Sequence, residues 1–434
     1  SLGQNFLVDE DLARWIADQV EPDGAPLVIE AGPGLRALTQ HLEDRPKHLL
    51  LVEKDRELVA TLREHYLDEP GVTVLEADAT RFDLRPWYAY GEVGFIGNLP
   101  YSVGGEILRH VLTPPTPVRR AVFMLQKEVC QRLAAVPGAA GCGALSALVQ
   151  VDWEVEMLRV VPPEVFRPRP KVDSAVVRLT PRDPASLPVF DRRVFDRLVR
   201  VGFGQRRKQL KNLLPPGPDT WEAAAAAVGL LVTARAEELS LLQWVALARW
   251  YEGRGATPDE GQSGEERFDV VDEWDAVIGQ ETRAQVHATG LRHRAVHLLI
   301  WNGRGEVFLQ QRSHLKDVAP LKWDSSAAGH LDAGETYAQA AVRELREEAG
   351  IAVETTERVL KIPASAATGH EFVELHQVKT SGRIHWPPEE VRTGEWFLPE
   401  QLDDWIERRP SDFAGGFITC WKAWRQAGSP MPSL

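Results

Sequence analysis

The chain has 434 residues and a formal net charge of -13, a length that exceeds one ordinary core and points to two or three domains. It has no uninterrupted apolar stretch long enough to span a bilayer and no basic-then-apolar leader, which argues against a membrane partner and sets a cytoplasmic expectation. Cys130, Cys142 and Cys420 form neither a CxxC pair nor an even framework, so buried free thiols are expected rather than disulfides.

The acidic total argues against nucleic-acid binding, yet the charge is unevenly spread. From Arg159 to Lys211 there are 14 Lys and Arg against 5 Asp and Glu, a local surplus of +9. Such a stripe is a candidate phosphate contact. From residue 253 onward 20 basic face 29 acidic residues, or -9. The two halves are therefore expected to act on different substrates.

In chain order, short apolar runs at 26–32, 48–55, 72–78, 93–100 and 121–126 alternate with helical patterns. That alternation predicts a doubly wound α/β domain around a parallel sheet. Two further strands are expected near 149–161 and 172–180. Residues 190–251 read as wholly helical, including the alanine run Ala223 to Ala227.

The first run leads into AGPGLRALT, a glycine turn between strand and helix that brings backbone close to a ligand. The same pattern also binds dinucleotides or makes a plain tight turn. Glu53 closes the second strand, where an acid can hold ribose hydroxyls, and Asp78 closes the third, where it can accept from an adenine amine. Either is equally readable as a helix N-cap or loop charge. Asn98-Leu99-Pro100-Tyr101 ends the fourth strand, across the switch point from the glycine turn. An aromatic amine is a poor nucleophile, because its lone pair is delocalised into the ring. Hydrogen bonds to the Asn98 side-chain oxygen and the Leu99 carbonyl favour a pyramidal nitrogen, and Tyr101 stacks on the purine. Catalysis there is mainly positioning; the alternative is a turn whose tyrosine packs into the core.

Gly3-Gln4-Asn5-Phe6-Leu7, Gly32-Pro33-Gly34, Glu53, Asp78, Asn98 to Tyr101, VPPEVFRPRPKVDSAVVRL at 161–179 and FGQRRKQLKNLL at 203–214 together resemble the small-subunit rRNA adenine dimethyltransferase family over roughly residues 1–251. The resemblance implies a Rossmann-like fold with a helical subdomain. It also implies S-adenosyl-L-methionine as cofactor and transfer of two methyls to each of two neighbouring adenines on a maturing small ribosomal subunit. By the same resemblance Gln4 and Phe6 border the cofactor and target pocket, Gly32 in the Gly32 to Gly34 turn contacts the cofactor, Glu53 its ribose and Asp78 its adenine. Asn98 holds the reacting amine, and Phe166 stacks opposite Tyr101. Arg36 departs from the family, which usually has glycine there. Its side chain either points to solvent from the first helical turn or crowds the cofactor, in which case the chain would be a non-catalytic ribosome assembly factor. Arg167, Arg169, Lys171, Arg206, Arg207, Lys208 and Lys211 are the expected rRNA contacts, unless they are only the wet faces of a loop and a helix.

EGRGATPDEGQSGEER at 252–267 lacks an apolar period and reads as a linker. The domains expected are 1–182, methyltransferase; 183–251, helical and RNA-binding; and 268–434. In the last, GHLDAGETYAQAAVRELREEAGI at 329–351 matches the Nudix box. Glu344, Glu347 and Glu348 fall at i, i+3 and i+4, so three carboxylates share one helix face and call for a hard cation, Mg2+ or Mn2+, that can bridge a diphosphate. Arg343 and Glu335 are expected to pair. Flanking segments resemble the Nudix branch close to isopentenyl diphosphate isomerase, but Ala328 stands where that isomerase has its cysteine, which favours hydrolysis of a small diphosphate-containing substrate. A module that only senses a diphosphate is the alternative. The expected fold is an α/β/α sandwich, and His287, His293 and His297 are read as structural.

Overall fold

The computed structural model describes residues 5–20, 25–139, 141–205, 207–254, 264–429 and 431–432. The chain forms two compact units, residues 1–257 and 258–434.

The first unit holds β1 (Phe6–Leu7), α1 (Glu10–Ala17), β2 (Leu27–Ala31), β3 (Leu49–Glu53), α2 (Arg56–His65), β4 (Val72–Glu76), β5 (Val93–Asn98), α3 (Gly104–Leu112), β6 (Val118–Gln126), α4 (Lys127–Leu133), α5 (Ala144–Gln150), β7 (Trp153–Val161), β8 (Phe166–Arg167) and β9 (Ser174–Pro181). Asp9 and Asp55 cap α1 and α2 by accepting from backbone amides of the first turn, which fixes where each helix starts. The sheet order is β4-β3-β2-β5-β6-β9-β7. Neighbours from β4 to β6 are parallel, and β9 runs antiparallel to β6 and β7.

Alternate residues of the central strands feed two cores: Ile29, Leu50 and Phe95 on one face, Val28, Leu51 and Ile96 on the other. Two-sided burial explains why these strands are continuous apolar runs, each large side chain contributing about 2 kcal/mol. Strand order reverses between β2 and β5, so the carboxyl ends of both open onto one crevice.

Behind the sheet, α6 (Arg192–Gly202), α7 (Trp221–Val228) and α8 (Leu241–Tyr251) pack around Phe195, Leu210 and Trp244. The stretch is not wholly helical. Pro215, Pro216 and Pro218 remove amide donors between Leu213 and Thr220, where the chain is irregular, and Gly229 ends α7 with a left-handed φ of 68°. A Cβ on Gly202 would lie 2.6 Å from Trp244, so glycine sets the approach of α6 to α8.

In the second unit a hairpin of β10 (Arg267–Val271) and β11 (Val277–Thr282) precedes α9 (Arg283–Thr289), β12 (His293–Trp301), β13 (Val307–Arg312), β14 (Trp323–Asp324), β15 (Ala327–His330), α10 (Tyr337–Ala349), β16 (Glu357–Ile362), β17 (Glu371–Lys379), β18 (Val391–Phe397), α11 (Pro399–Arg408) and α12 (Gly415–Gln426). The mixed sheet runs β14-β13-β12-β17-β16, with β15 also on β12 and β18 on β13. Val296, Leu298 and Ile300 of β12 pack with Ala340, Ala341 and Leu345 of α10. Trp301, of opposite parity, meets Trp424 of α12 at a ring separation of 5.0 Å. Period-two alternation thus covers both sheet faces with helix, the three-layer sandwich expected. Among the described residues no helix is long and apolar enough to cross a membrane.

Candidate functional site

In the first unit the chain leaves β2 through Gly32 and Gly34, at φ 67° and 54°, a region that only glycine adopts without steric cost. Glu53 fastens this turn: its Oε2 accepts from the Gly34 amide at 3.3 Å, and Oε1 accepts from the amides of Lys54 and Asp55 at 2.8 and 2.9 Å. A Cβ on Gly34 would sit 3.3 Å from Phe6 Cε1, so the missing side chain lets Phe6 lie over the turn. Phe6 is brought there by antiparallel pairing of β1 with β8, in the register Phe6 with Arg167 and Leu7 with Phe166.

Asn5, Phe6, Gly32, Gly34, Asn98, Leu99, Tyr101 and Phe166 line one cavity, together with Glu30. Asn98 donates its side-chain Nδ2 to the Asn5 carbonyl at 3.2 Å, which orients the amide and leaves Oδ1 as an acceptor. The Tyr101 hydroxyl lies 2.7 Å from Ser174 Oγ, pinning the ring from below. Phe166 is buried. Gln4 lies outside the described residues.

Glu53 and Asp78 do not line that cavity. Asp78 sits past the end of β4, where its Oδ2 accepts from Lys54 Nζ at 2.7 Å and its Oδ1 from the Thr80 amide and hydroxyl. The Lys54 ammonium, with Thr80, holds the Asp78 carboxyl well below the usual range. These carboxylates still stand on successive strand ends beside the glycine turn. A glycine cradle, an aromatic lid, two carboxylates and an oriented amide acceptor form a donor and acceptor set that fits S-adenosylmethionine and an adenine.

Arg36 is in neither place expected of it. It has a left-handed φ of 67° and precedes the short 3-10 turn that starts at Thr39, so it belongs to no first helical turn. Its guanidinium folds over the Tyr66 ring, donating to the Tyr66 hydroxyl at 2.9 Å and to Glu43 at 2.7 Å. It does not line the cavity. The reason lies in an aromatic ring 30 residues away and a carboxylate seven residues away, which together hold the guanidinium.

Arg167, Arg169, Lys171, Arg207, Lys208 and Lys211 are all exposed, and Arg206 lies outside the described residues. Arg167 donates to the carbonyls of Glu164 and Phe166, and Arg169 pairs with Glu164. Arg167 pairs with Phe6 across the two strands, next to Phe166, which lines the cavity.

In the second unit a cavity of about 580 Å3 is lined by Glu344, Glu347, Glu348, Arg312, Lys316 and His330 among others. Glu344, Glu347 and Glu348 project from one face of α10, capped at Thr336 and closed by left-handed Gly350. Arg343 braces them: it pairs with Glu335 at 2.8 Å, Glu344 at 2.7 Å and Glu347 at 3.2 Å, and donates to the His330 carbonyl at 3.0 Å. Glu348 accepts from Gln310 Nε2 and the Ala328 amide, both at 3.0 Å. Burial, with Glu348 adjoining, pushes the Glu344 carboxyl up to about 8. A Cβ on Gly329 would fall 1.9 Å from Glu344 Oε1, so the glycine makes room for the carboxylate. Crowded, buried carboxylates of this kind fit a divalent cation.

Sequence reasoning missed a neighbouring cluster. His287, His293 and His330 bring one ring nitrogen each within 4.8 Å of one another, and Glu371 lies 3.5 Å from His293 and 3.0 Å from His330. Two of the histidines set aside as structural therefore belong to a set able to hold a metal ion. His297 stands apart, bonded to Ser325 at 2.7 Å. The available signal was the pair of histidines six residues apart straddling a turn, with a third directly after Gly329. Burial holds the His330 imidazole down at about 4, neutral and able to ligate.

Residues 1–252 match the family described as ribosomal RNA adenine dimethylase, and residues 291–414 match the NUDIX domain. The ribosomal RNA small subunit methyltransferase A of Xanthomonas euvesicatoria pv. vesicatoria is 42% identical over 248 residues, 57% of this chain and 94% of the relative. The solved 23S rRNA methyltransferase ErmE is 27% identical and covers 57% of this chain and 100% of its own, with a TM-score of 0.47. A solved protein of Deinococcus radiodurans, 27% identical, covers 37% of this chain and 99% of its own with a TM-score of 0.33.

Proposed function

Because this chain belongs to the ribosomal RNA adenine dimethylase family and carries a NUDIX domain behind it, we propose that it dimethylates two adjacent adenines of small-subunit rRNA with S-adenosylmethionine, and that its second unit hydrolyses a small diphosphate. The first activity acts on the pre-ribosomal small subunit in the cytoplasm. In this reading residues 1–182 serve transfer, 183–251 RNA, 252–267 form a linker and 268–434 serve the diphosphate.

The observation that carries the methyltransferase reading is the Asn98 tie to Asn5. With Nδ2 committed to a backbone carbonyl, Oδ1 is left as an acceptor for an exocyclic amine in the cavity that Asn98 lines. The Leu99 carbonyl supplies a second acceptor, favouring a pyramidal nitrogen. Tyr101 and Phe166 hold the purine faces, and Glu53 and Asp78 hold the ribose and adenine of the cofactor. S-adenosylmethionine, when bound, supplies the methyl as an electrophilic sulfonium carbon. No strong base is required, since the proton leaves after the nitrogen has become cationic. Arg167, next in sequence to Phe166, and the Arg207, Lys208 and Lys211 group take phosphates.

In the NUDIX unit Glu344, Glu347 and Glu348 would hold Mg2+ or Mn2+, which supplies Lewis acidity towards a diphosphate. Glu347, half in solvent and paired with Arg343, would take a proton from water. Arg312 and Lys316 line the same cavity and attract the anion. Ala328 in place of a cysteine favours hydrolysis over the isomerase chemistry of the resembling branch.

Incubation of the protein with labelled S-adenosylmethionine and undermethylated small subunits, followed by nucleoside analysis, should yield N6,N6-dimethyladenosine. Tight subunit binding without product would instead make it an assembly factor. That second reading rested on a guanidinium crowding the cofactor, and Arg36 is turned towards Tyr66 and Glu43.

A further inference from the structure

One wall of the NUDIX cavity holds hydrogen-bond donors to which the diphosphate chemistry gives no role. α12 begins there, and Ala414, Gly415 and Gly416 line the cavity together with His297. Ala414 precedes the helix and has no side chain that could cap it. The backbone bonds of the helix start only with the Ile418 amide, which donates to the Ala414 carbonyl, so the amides of Gly415, Gly416 and Phe417 stand open at the helix end. The 12 residues of α12 also bring partial positive charge to that end.

His297 adds a donor from β12. It is 7% exposed, and its Nδ1 lies 2.7 Å from Ser325 Oγ. The Ser325 hydroxyl meets no other acceptor among the described residues, so it donates to Nδ1 and the imidazole carries its proton on Nε2. That nitrogen has no partner among the described residues and faces the helix end: a Cβ on Gly416 would fall 3.2 Å from it. Glycine therefore keeps the space between ring and helix open. Asp324, 3.9 Å from the other ring nitrogen, has its charge matched by Arg312 at 3.0 Å. His297 pairs with Ala328 across β12 and β15, and the Ala328 amide donates to Glu348, so this corner and the carboxylates of α10 border the same ligand space.

We propose that His297 and the start of α12 form an anion subsite, and that the substrate of this unit carries a phosphoryl group at the end away from its diphosphate. Every group offered in the corner donates and none accepts, and the helix end favours negative charge. Three amides and a ring N–H match the three oxygens of a phosphoryl group better than the two of a carboxylate. A hydrocarbon tail would leave these donors without acceptors. This inference rests on the diphosphate-hydrolase reading and adds a substrate class to it.

Butyl diphosphate, its 4-phosphoryl derivative and ADP, each incubated with the full chain and Mn2+ and followed by phosphorus NMR, test the subsite. The phosphorylated probe should show a kcat/KM at least about tenfold above that of butyl diphosphate, with the difference in KM. Gly416→Ala fills the gap beside the ring while suiting a helix, and His297→Leu removes the ring donor; each should bring the ratio of the two probes close to one. Equal turnover of the two probes, cleavage of ADP with neither probe accepted, or a preference that survives both substitutions would overturn the inference and leave the hydrolase reading standing. Cleavage of none of the three compounds would overturn that reading and the inference with it.

Discussion

Lys54 reaches across the ends of two neighbouring strands to place its ammonium 2.7 Å from Asp78 Oδ2, while Thr80 holds the other oxygen. The residue expected to recognise adenine is therefore already engaged on both sides. Lys54 is 66% exposed, so the pair is worth less than about 1 kcal/mol. Lys54→Ala should tighten S-adenosylmethionine binding by up to about fivefold and reduce its salt dependence, whereas Asp78→Ala should weaken it. Weaker binding by Lys54→Ala in calorimetry would mean that the lysine itself contacts the cofactor.

Arg36 sets a left-handed backbone, costing about 1–2 kcal/mol for a non-glycine residue, against its bonds to Tyr66 and Glu43. Arg36→Ala keeps the backbone cost and loses the bonds, and should destabilise the protein by about 1–2 kcal/mol. Arg36→Gly loses the bonds but relieves the backbone, and should lie within about 1 kcal/mol of wild type. Urea denaturation of both variants tests the difference. Cofactor affinity should be unchanged in each, because the guanidinium does not face the cavity.

Glu30 predicts an unusual pH profile of stability. Its folded carboxyl titrates near 8 instead of 4.5, so between those values the folded state binds more protons than the unfolded one. Stability is then greatest below about pH 4.5 as far as this group is concerned, and falls as pH rises to about 8. Scanning calorimetry of the cofactor-free protein should show the melting temperature dropping by roughly 10 °C between pH 5 and 8.5. In Glu30→Gln that drop should be absent.

The parallel sheet made the first site legible. Carboxyl ends of successive strands open on one edge, so Glu53, Asp78 and Asn98 could be placed together from their positions in apolar runs alone. Nothing comparable announced the partner of Arg36, because contact with Tyr66 depends on how α2 packs. The histidine cluster was hidden for the same reason. His287 comes from α9, His293 from β12 and His330 from β15, and only the antiparallel pairing of β15 on β12, with Ala295 opposite His330, brings the last two side by side. The helical stretch before the linker was overread where its prolines interrupt it.

In the NUDIX unit Gly329 gives a test that separates chemistry from folding. Gly329→Ala puts a methyl where Glu344 Oε1 now lies and should lower metal-dependent phosphate release at least about tenfold, comparable to Glu347→Gln and Glu348→Gln. An Arg343→Ala change leaves Glu335 and Glu344 uncompensated, and should cost about 3 kcal/mol in stability besides. Retained hydrolysis in Gly329→Ala would remove Glu344 from the ion site.

Replacing Arg207, Lys208 and Lys211 together with alanine should weaken binding to small-subunit rRNA and lower the slope of log affinity against log salt by about 0.7 for each phosphate no longer neutralised. Cofactor affinity should not move. An unchanged slope in filter binding would make these side chains a solvated surface.

The pairing of β1 with β8 joins Leu7 to Phe166, so one wall of the methyltransferase pocket is closed by two segments about 160 residues apart in the chain. On the ribosome, the glycine turn and the strands beside it emerge early, but the ring of Phe6 has no strand to lie against until the Phe166 segment has been translated. In a nascent chain this wall of the cavity is therefore missing until most of the first unit has been synthesised.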